Sequence, residues 1–223
     1  MAAKTKAKAG ARTGSGKGAR RTAVKRSRDI PLLPIAAAGI LLAFAIGIII
    51  YIAVNNKTPV GPATAASIPC DSLQHSQTHY HTGIQIVYQG TMHPIPANIG
   101  ITGDPAAPSC YYWLHVHAAD PNVIHIEAPA NQTFTLRQFF AVWDAWSKAN
   151  GGPAEPLNAT HVSTFTLTAD QKLIVYVTEE GKAPQLYTGD PNAIELKAHE
   201  VITLEITPPD VNPPPSFTFP NGL

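Results

Sequence analysis

The sequence predicts an α+β domain behind a single transmembrane helix. Its sheet should be mostly antiparallel or mixed and covered on one face by one amphipathic helix. Three observations predict this. An uncharged run from Pro31 to Val54 separates a basic start from an acidic remainder. Beyond it, apolar residues recur with a period of two in six short segments. One segment, 133–152, switches to helical spacing.

Residues 1–30 hold ten of the sixteen Lys and Arg and a single acid, Asp29, for a net charge of +9. The rest of the chain carries −8. The basic segment has too little apolar content to fold and no aromatic ring to stack on a base. It reads as a disordered cytoplasmic tail attracted to anionic lipid, and no nucleic-acid partner is expected. Residues 31–54 follow with no charged side chain. A helix of that length, at about 1.5 Å per residue, spans a hydrocarbon core of about 30 Å. The run exceeds the roughly 7–15 apolar residues of a signal peptide. Small residues in "ATAAS" (63–67) nevertheless resemble a cleavage site and leave removal of the anchor open. Basic flanks stay in the cytoplasm, so the expected location is the cell membrane, single-pass, with the C-terminal domain extracytoplasmic.

Residues 55–69 are small, polar and proline-containing, as in a stalk linker. Residues 208–223 hold six of the twenty-one prolines and are expected to be an extended or disordered tail. The folded domain is then 70–207. Segments 79–89, 110–117, 122–128, 161–168, 172–178 and 200–206 read as strands. In the helical segment, Leu136, Phe139, Phe140, Trp143 and Trp146 share one face. Thr135 and Gln138 match a capping box, and Phe134 and Phe139 a hydrophobic staple. Lys148 sits in the last turn, and Gly151 or Gly152 can end it.

Cys70 and Cys110 both fall in the outer part of the chain. Outside the cytoplasm such a pair is expected to be bridged. Closing a loop of about forty residues stabilises a fold by roughly 4 kcal/mol if chain entropy dominates. The other reading, a Cys–His metal site, needs free thiols.

The densest chemistry lies in "CYYWLHVHAADPNVIHIEAP" (110–129). Asp120-Pro121-Asn122 supplies turn residues, so the segment reads as a hairpin with His115 opposite His125. Alternation puts Tyr112, Leu114, Val116, Ile124 and Ile126 on one face. Trp113, His115, His117, His125 and Glu127 share the other. Upstream, His79 and His81 are also two apart and can add to that face. Converging imidazoles suit a divalent transition metal such as copper or zinc. His115, His117 and His125 are the first candidate ligands, with His79 and His81 next. Glu127 is a fourth ligand or orients an imidazole N–H. A weak internal echo relates 86–107 to 174–193 and would make His199 a remnant of a second such cluster. The competing reading is a metal-free module that docks another envelope protein or a wall polymer through Trp113 and the histidine face. No catalytic motif is present: neither a nucleophile elbow, a phosphate loop nor His-Glu-x-x-His. Enzymatic activity is left open.

"YWLHVHAADPNVIHIEAP", followed by "FTLRQFFAVW" and "IELKAHEVITLEI", resembles a family of uncharacterised prokaryotic extracytoplasmic proteins. Their hairpin reads Leu-His-Thr-His-Asp, then Gly-Ile-Ile-His-Ile-Glu, before a Phe-Thr-Leu-Gly segment. The resemblance covers roughly 79–206. It implies that His115, His117, His125 and Glu127 belong to a family signature, and it implies no activity. Val116 stands where the family has Thr, Ala118 where it has Asp, and Arg137 where it has Gly. If that Asp serves the site, Asp120 is the residue that could replace it. The order of elements also resembles a ubiquitin-like β-grasp, which implies an open sheet face opposite the helix.

Overall fold

The computed structural model describes residues 41–48 and 64–223. The chain divides into two units, one ending at Asn56 and one beginning at Lys57. In the first, residues 41–48 are helical, and Leu41, Leu42, Phe44, Ile46 and Ile48 are exposed. Among the described residues no helix is long and apolar enough to cross a membrane. The expected span 31–54 lies mostly outside the described residues, as do the basic tail and most of the stalk.

The second unit is α+β and mostly sheet. It begins with β1 (Thr64–Ala65) and β2 (Ile68–Asp71), and Ala65 and Ile68 are buried in the core. Folded structure therefore starts inside the segment expected to be stalk. Next come β3 (Thr78–Tyr88), β4 (Thr91–His93), β5 (Ile101–Asp104) and β6 (Ala107–Tyr112). They are followed by β7 (Leu114–His115) and β8 (Val123–Ala128). After the helix Leu136–Ala149, short strands β9 (Leu157–Asn158), β10 (His161–Val162) and β11 (Phe165–Thr166) form a small sheet. The chain then runs through β12 (Lys172–Thr178), β13 (Gln185–Tyr187) and β14 (Val201–Thr207).

The main sheet has the order β13-β12-β14-β3-β8-β7, with β4 also on β3. Only β14 and β3 pair in parallel, at its centre. A second sheet, β1-β2-β6-β5, lies beside it. The predicted strand 110–117 is thus divided between two sheets: β6 belongs to the small one and β7 to the large one, with the break at Trp113. The predicted strand 161–168 is also interrupted, because Ser163 takes a φ of 54° between β10 and β11.

The helix forms where its pattern places it. Thr135 N–H donates to Gln138 Oε1 at 2.9 Å. At the other end Gly151 adopts φ +74°, its N–H donates to Lys148 O, and Gly152 N–H donates to Ser147 O. That pair of bonds is a Schellman ending, which needs a residue free to enter the left-handed region. Leu136, Phe139, Phe140, Val142 and Trp143 are buried against Ile84, Ile86, Ile124, Ile126, Ile202 and Leu204. These sheet residues come from alternate positions, so the helix covers one face only.

The C-terminal residues 208–223 contain no strand or helix, yet they pack on the domain rather than leave it. Val211 N–H donates to Glu205 Oε2 at 3.4 Å. A Cβ at Gly83 would lie 3.0 Å from Phe217 Cε1, so the absent side chain lets this ring reach the sheet. Phe219 tilts against His199 with ring centroids 5.2 Å apart. Proline denies the tail ladder hydrogen bonds, but its two phenylalanines give it apolar area to bury.

Candidate metal centre

The sheet register assembles the histidines. His81 on β3 stands opposite His125 on β8, and His125 stands opposite His115 on β7. Three imidazoles therefore lie in one rung across three neighbouring strands. His79 faces Glu127 in the next rung. His117 follows β7 and brings its ring to 4.6 Å from that of His125, at nearly a right angle. On the far side, His199 N–H donates to His81 O at 2.8 Å, so His199 borders the row.

The ligand atoms converge. One donor atom each from His115, His117, His125 and Glu127 lie within 4.8 Å of one another, and so do those of His79, His81 and His125. His125 belongs to both groups. His115 Nδ1 is 2.8 Å from Tyr112 O. A carbonyl only accepts, so Nδ1 carries the proton and Nε2 presents a lone pair. That Nε2 is 3.1 Å from His117 Nε2. Two nitrogens bound to one tetrahedral zinc at about 2.0–2.1 Å would sit about 3.3 Å apart.

The face is not open. His115 is 0% exposed, His125 5%, His81 7% and Glu127 7%. This corrects the expectation of an exposed histidine face opposite the helix. The segment between β2 and β3 contributes, because it reaches the hairpin through Gln74 and His75. Cys70 and Cys110 are bridged, with no free cysteine, and hold the start of this segment to β6. The thiol-based alternative is thereby removed. Asp71 then accepts hydrogen bonds from Trp113 Nε1 and His75 Nε2, both at 2.7 Å. Those bonds hold the Asp71 carboxyl below its ordinary range, the Trp113 bond contributing most. Trp113, expected to share the histidine face, is engaged in pinning this cover. Gln74 comes next, with its amide nitrogen 3.1 Å from His115 Nε2 and 2.9 Å from His117 Nε2. His75 itself is directed to Asp71 rather than to the cluster.

Burial sets the electrostatics. Desolvation, reinforced by neighbouring imidazoles, lowers His115 from 6.5 to about 3 and His125 to about 2. His81 and His117 are also lowered, chiefly by burial. Asp120 Oδ2 lies 3.5 Å from His125 Nε2, and Glu127 Oε1 lies 4.0 Å from His125 Nδ1. Neither carboxylate offsets the loss of water. The rings are consequently neutral at ordinary pH. Burial also raises Glu127 above the usual carboxylate range, with His79 opposing. Access remains at His79, whose side chain is 47% exposed, and at the half-buried His117.

Several polar atoms here have no hydrogen-bond partner. Among the described residues, His81 Nε2, His125 Nε2 and Glu127 Oε2 are buried without one. An unpaired buried polar atom costs about 1–3 kcal/mol, so three in one cluster require a compensating role. A cation bound by their lone pairs would supply one.

All six candidate ligands from the sequence are brought together, in two groups that share His125. Two residues at the site were missed. Gln74 sits in the polar run "DSLQHSQ", which carries no spacing signal. Asp71 gives none either, because the loop's position depends on a disulfide 40 residues in span. A separate cavity of about 530 Å³ lined by Leu157, Leu173 and Tyr187 contains no residue of the cluster. No family model matches the chain, and neither a curated protein nor a solved structure is similar to it.

Proposed function

We propose that this protein is a membrane-anchored, extracytoplasmic binder of a divalent transition metal, copper or zinc. One observation carries the reading: buried, neutral imidazoles converge on one carboxylate, and His81 Nε2, His125 Nε2 and Glu127 Oε2 are left without a hydrogen-bond partner. His115, His117 and His125 hold the ion through nitrogen, with Glu127 as the anionic ligand. His79 and His81 are the next candidate ligands, grouped with the shared His125, and His79 is the one open to solvent. Imidazole and carboxylate donors without thiolate suit copper(II) and zinc rather than copper(I). The disulfide favours an oxidising compartment. The uncharged run 31–54, the +9 flank and the exposed apolar side chains of residues 41–48 support a single-pass anchor with the N-terminus in the cytoplasm. The parallel pairing of β3 with β14, at the centre of a sheet crossed by one helix, supports a β-grasp-like arrangement of the domain.

The test is elemental analysis of the full chain, purified without a histidine tag and equilibrated with micromolar copper or zinc. The wild type should retain about one ion per chain, and His115→Ala/His125→Ala close to none. Equal metal content in the two proteins would overturn the assignment. Protease treatment of intact cells tests the topology: the C-terminal unit should be digested and the basic tail spared.

A further inference from the structure

The geometry points to Gln74 as a further metal ligand, held in place by the Cys70–Cys110 disulfide; this rests on the metal reading above. Gln74 Nε2, His115 Nε2 and His117 Nε2 form a nearly equilateral triangle with sides of 3.1, 2.9 and 3.1 Å. Gln74 would be the fifth ligand beside His115, His117, His125 and Glu127, and neighbouring ligand atoms on a five-coordinate ion with bonds of about 2.0–2.1 Å stand about 2.9–3.6 Å apart. The triangle therefore has nearly the dimensions of one face of a ligand shell. A glutamine amide is suited to such a position because it has two ends. Without metal, its NH₂ group donates two hydrogen bonds, one to each imidazole lone pair. Turned by half a rotation, it presents Oε1 at the same place, and an amide oxygen is an acceptable ligand for a divalent cation. The side chain thus closes the site in both states with no shift of the backbone.

Its position is set from outside the cluster. Gln74 is exposed and lies in no regular element. What keeps it over the histidines is the loop anchorage: the disulfide at Cys70 and the Asp71 carboxylate, bonded to Trp113 Nε1 and His75 Nε2. Opening the disulfide removes the first of these ties four residues before Gln74. Metal affinity should therefore depend on the thiol–disulfide state, although neither sulfur touches the ion.

The experiment measures zinc and copper affinity of the full chain by competition with a chromophoric chelator. Gln74→Ala should weaken binding by on the order of tenfold or more. Gln74→Glu should restore or tighten it, because a carboxylate oxygen replaces the amide oxygen and adds a negative charge. Cys70→Ser/Cys110→Ser should weaken binding as well, but should add little in the Gln74→Ala background if it acts through this residue. An unchanged affinity in Gln74→Ala overturns the proposal while leaving the histidine site standing. Equal weakening in Gln74→Ala and Gln74→Glu also overturns it, since the amide would then matter as a donor. A wild type that binds no metal sinks the site itself. The Gln74 pair decides the matter even if the cysteine variant fails to fold, because its side chain is exposed and the core does not depend on it.

Discussion

The two faces of the β3–β8–β7 layer are made by alternate residues of the same strands, yet they are closed in opposite ways. On one face Ile84, Ile124, Ile126 and Leu114 meet the helix residues Phe139 and Trp143 in a continuous apolar core. On the other lie His79, His81, His115, His125 and Glu127; a loop tied by a disulfide reaches His115 and His117 through Gln74, and the C-terminal tail packs beside them at Gly83 and His199. The first face is closed by apolar contact and leaves one buried polar atom, Trp143 Nε1, without a hydrogen-bond partner. The second is buried to a similar degree but keeps three polar atoms without partners. The difference shows that burial here serves two ends. One face supplies stability, and the other maintains neutral lone pairs at some cost to stability.

Breaking the apolar face should have the largest effect. Ile126→Ala removes a fully buried side chain and should cost about 2–5 kcal/mol in urea unfolding. Metal content per folded chain should stay unchanged. A loss of metal without a loss of stability would show that the two faces are not separable in this way.

The tail comes next. Phe217→Ala strips a half-buried ring from Gly83 and should cost about 1–2 kcal/mol. Hydrogen exchange should then quicken in 208–223 and on the adjoining end of β14, but not in the loop 72–77. Faster exchange in that loop would mean that the two covers are coupled.

The polar face should respond with the opposite sign. His125→Leu removes an unpartnered buried nitrogen at similar volume. The metal-free domain should gain about 1 kcal/mol while metal binding is lost. If it unfolds more easily instead, the nitrogen has a partner such as a buried water, and the two faces differ less in kind.

The last contrast is read in pH. His115 and His125 have folded-state values of about 3 and about 2, below the ordinary 6.5. The unfolded chain therefore binds protons first, and stability falls as pH drops below about 6.5. Glu200, raised by burial to about 7, acts in the other direction. It keeps its proton in the folded state, so its contribution is present at acid pH and is lost as pH rises from about 4.5 to 7. Glu200→Gln should accordingly gain up to about 3 kcal/mol at pH 8 and nothing at pH 4 in thermal unfolding. Saturating zinc should steepen the acid limb, because protons then compete with the ion for the same nitrogens.

Much of this was legible beforehand. The period-two pattern located β3, β8, β12 and β14, and the turn at 120–122 set His115 against His125. The helix, its capping glutamine and its glycine ending were likewise readable, because local backbone chemistry determines them. Alternation separated the histidine side of the hairpin from the apolar side for the same reason: neighbouring side chains on a strand point in opposite directions whatever the fold. What the tertiary structure decided is everything that depends on distant parts of the chain meeting. The break at Trp113 that hands one strand to two sheets, the burial of the histidines, the arrival of Gln74 above two imidazoles and the return of Phe217 to Gly83 leave no periodic trace in the sequence. Each is fixed by a contact between segments far apart, such as the bridge across 40 residues between Cys70 and Cys110. Local pattern reports which way a side chain points, and only the assembled fold reports what lies in front of it.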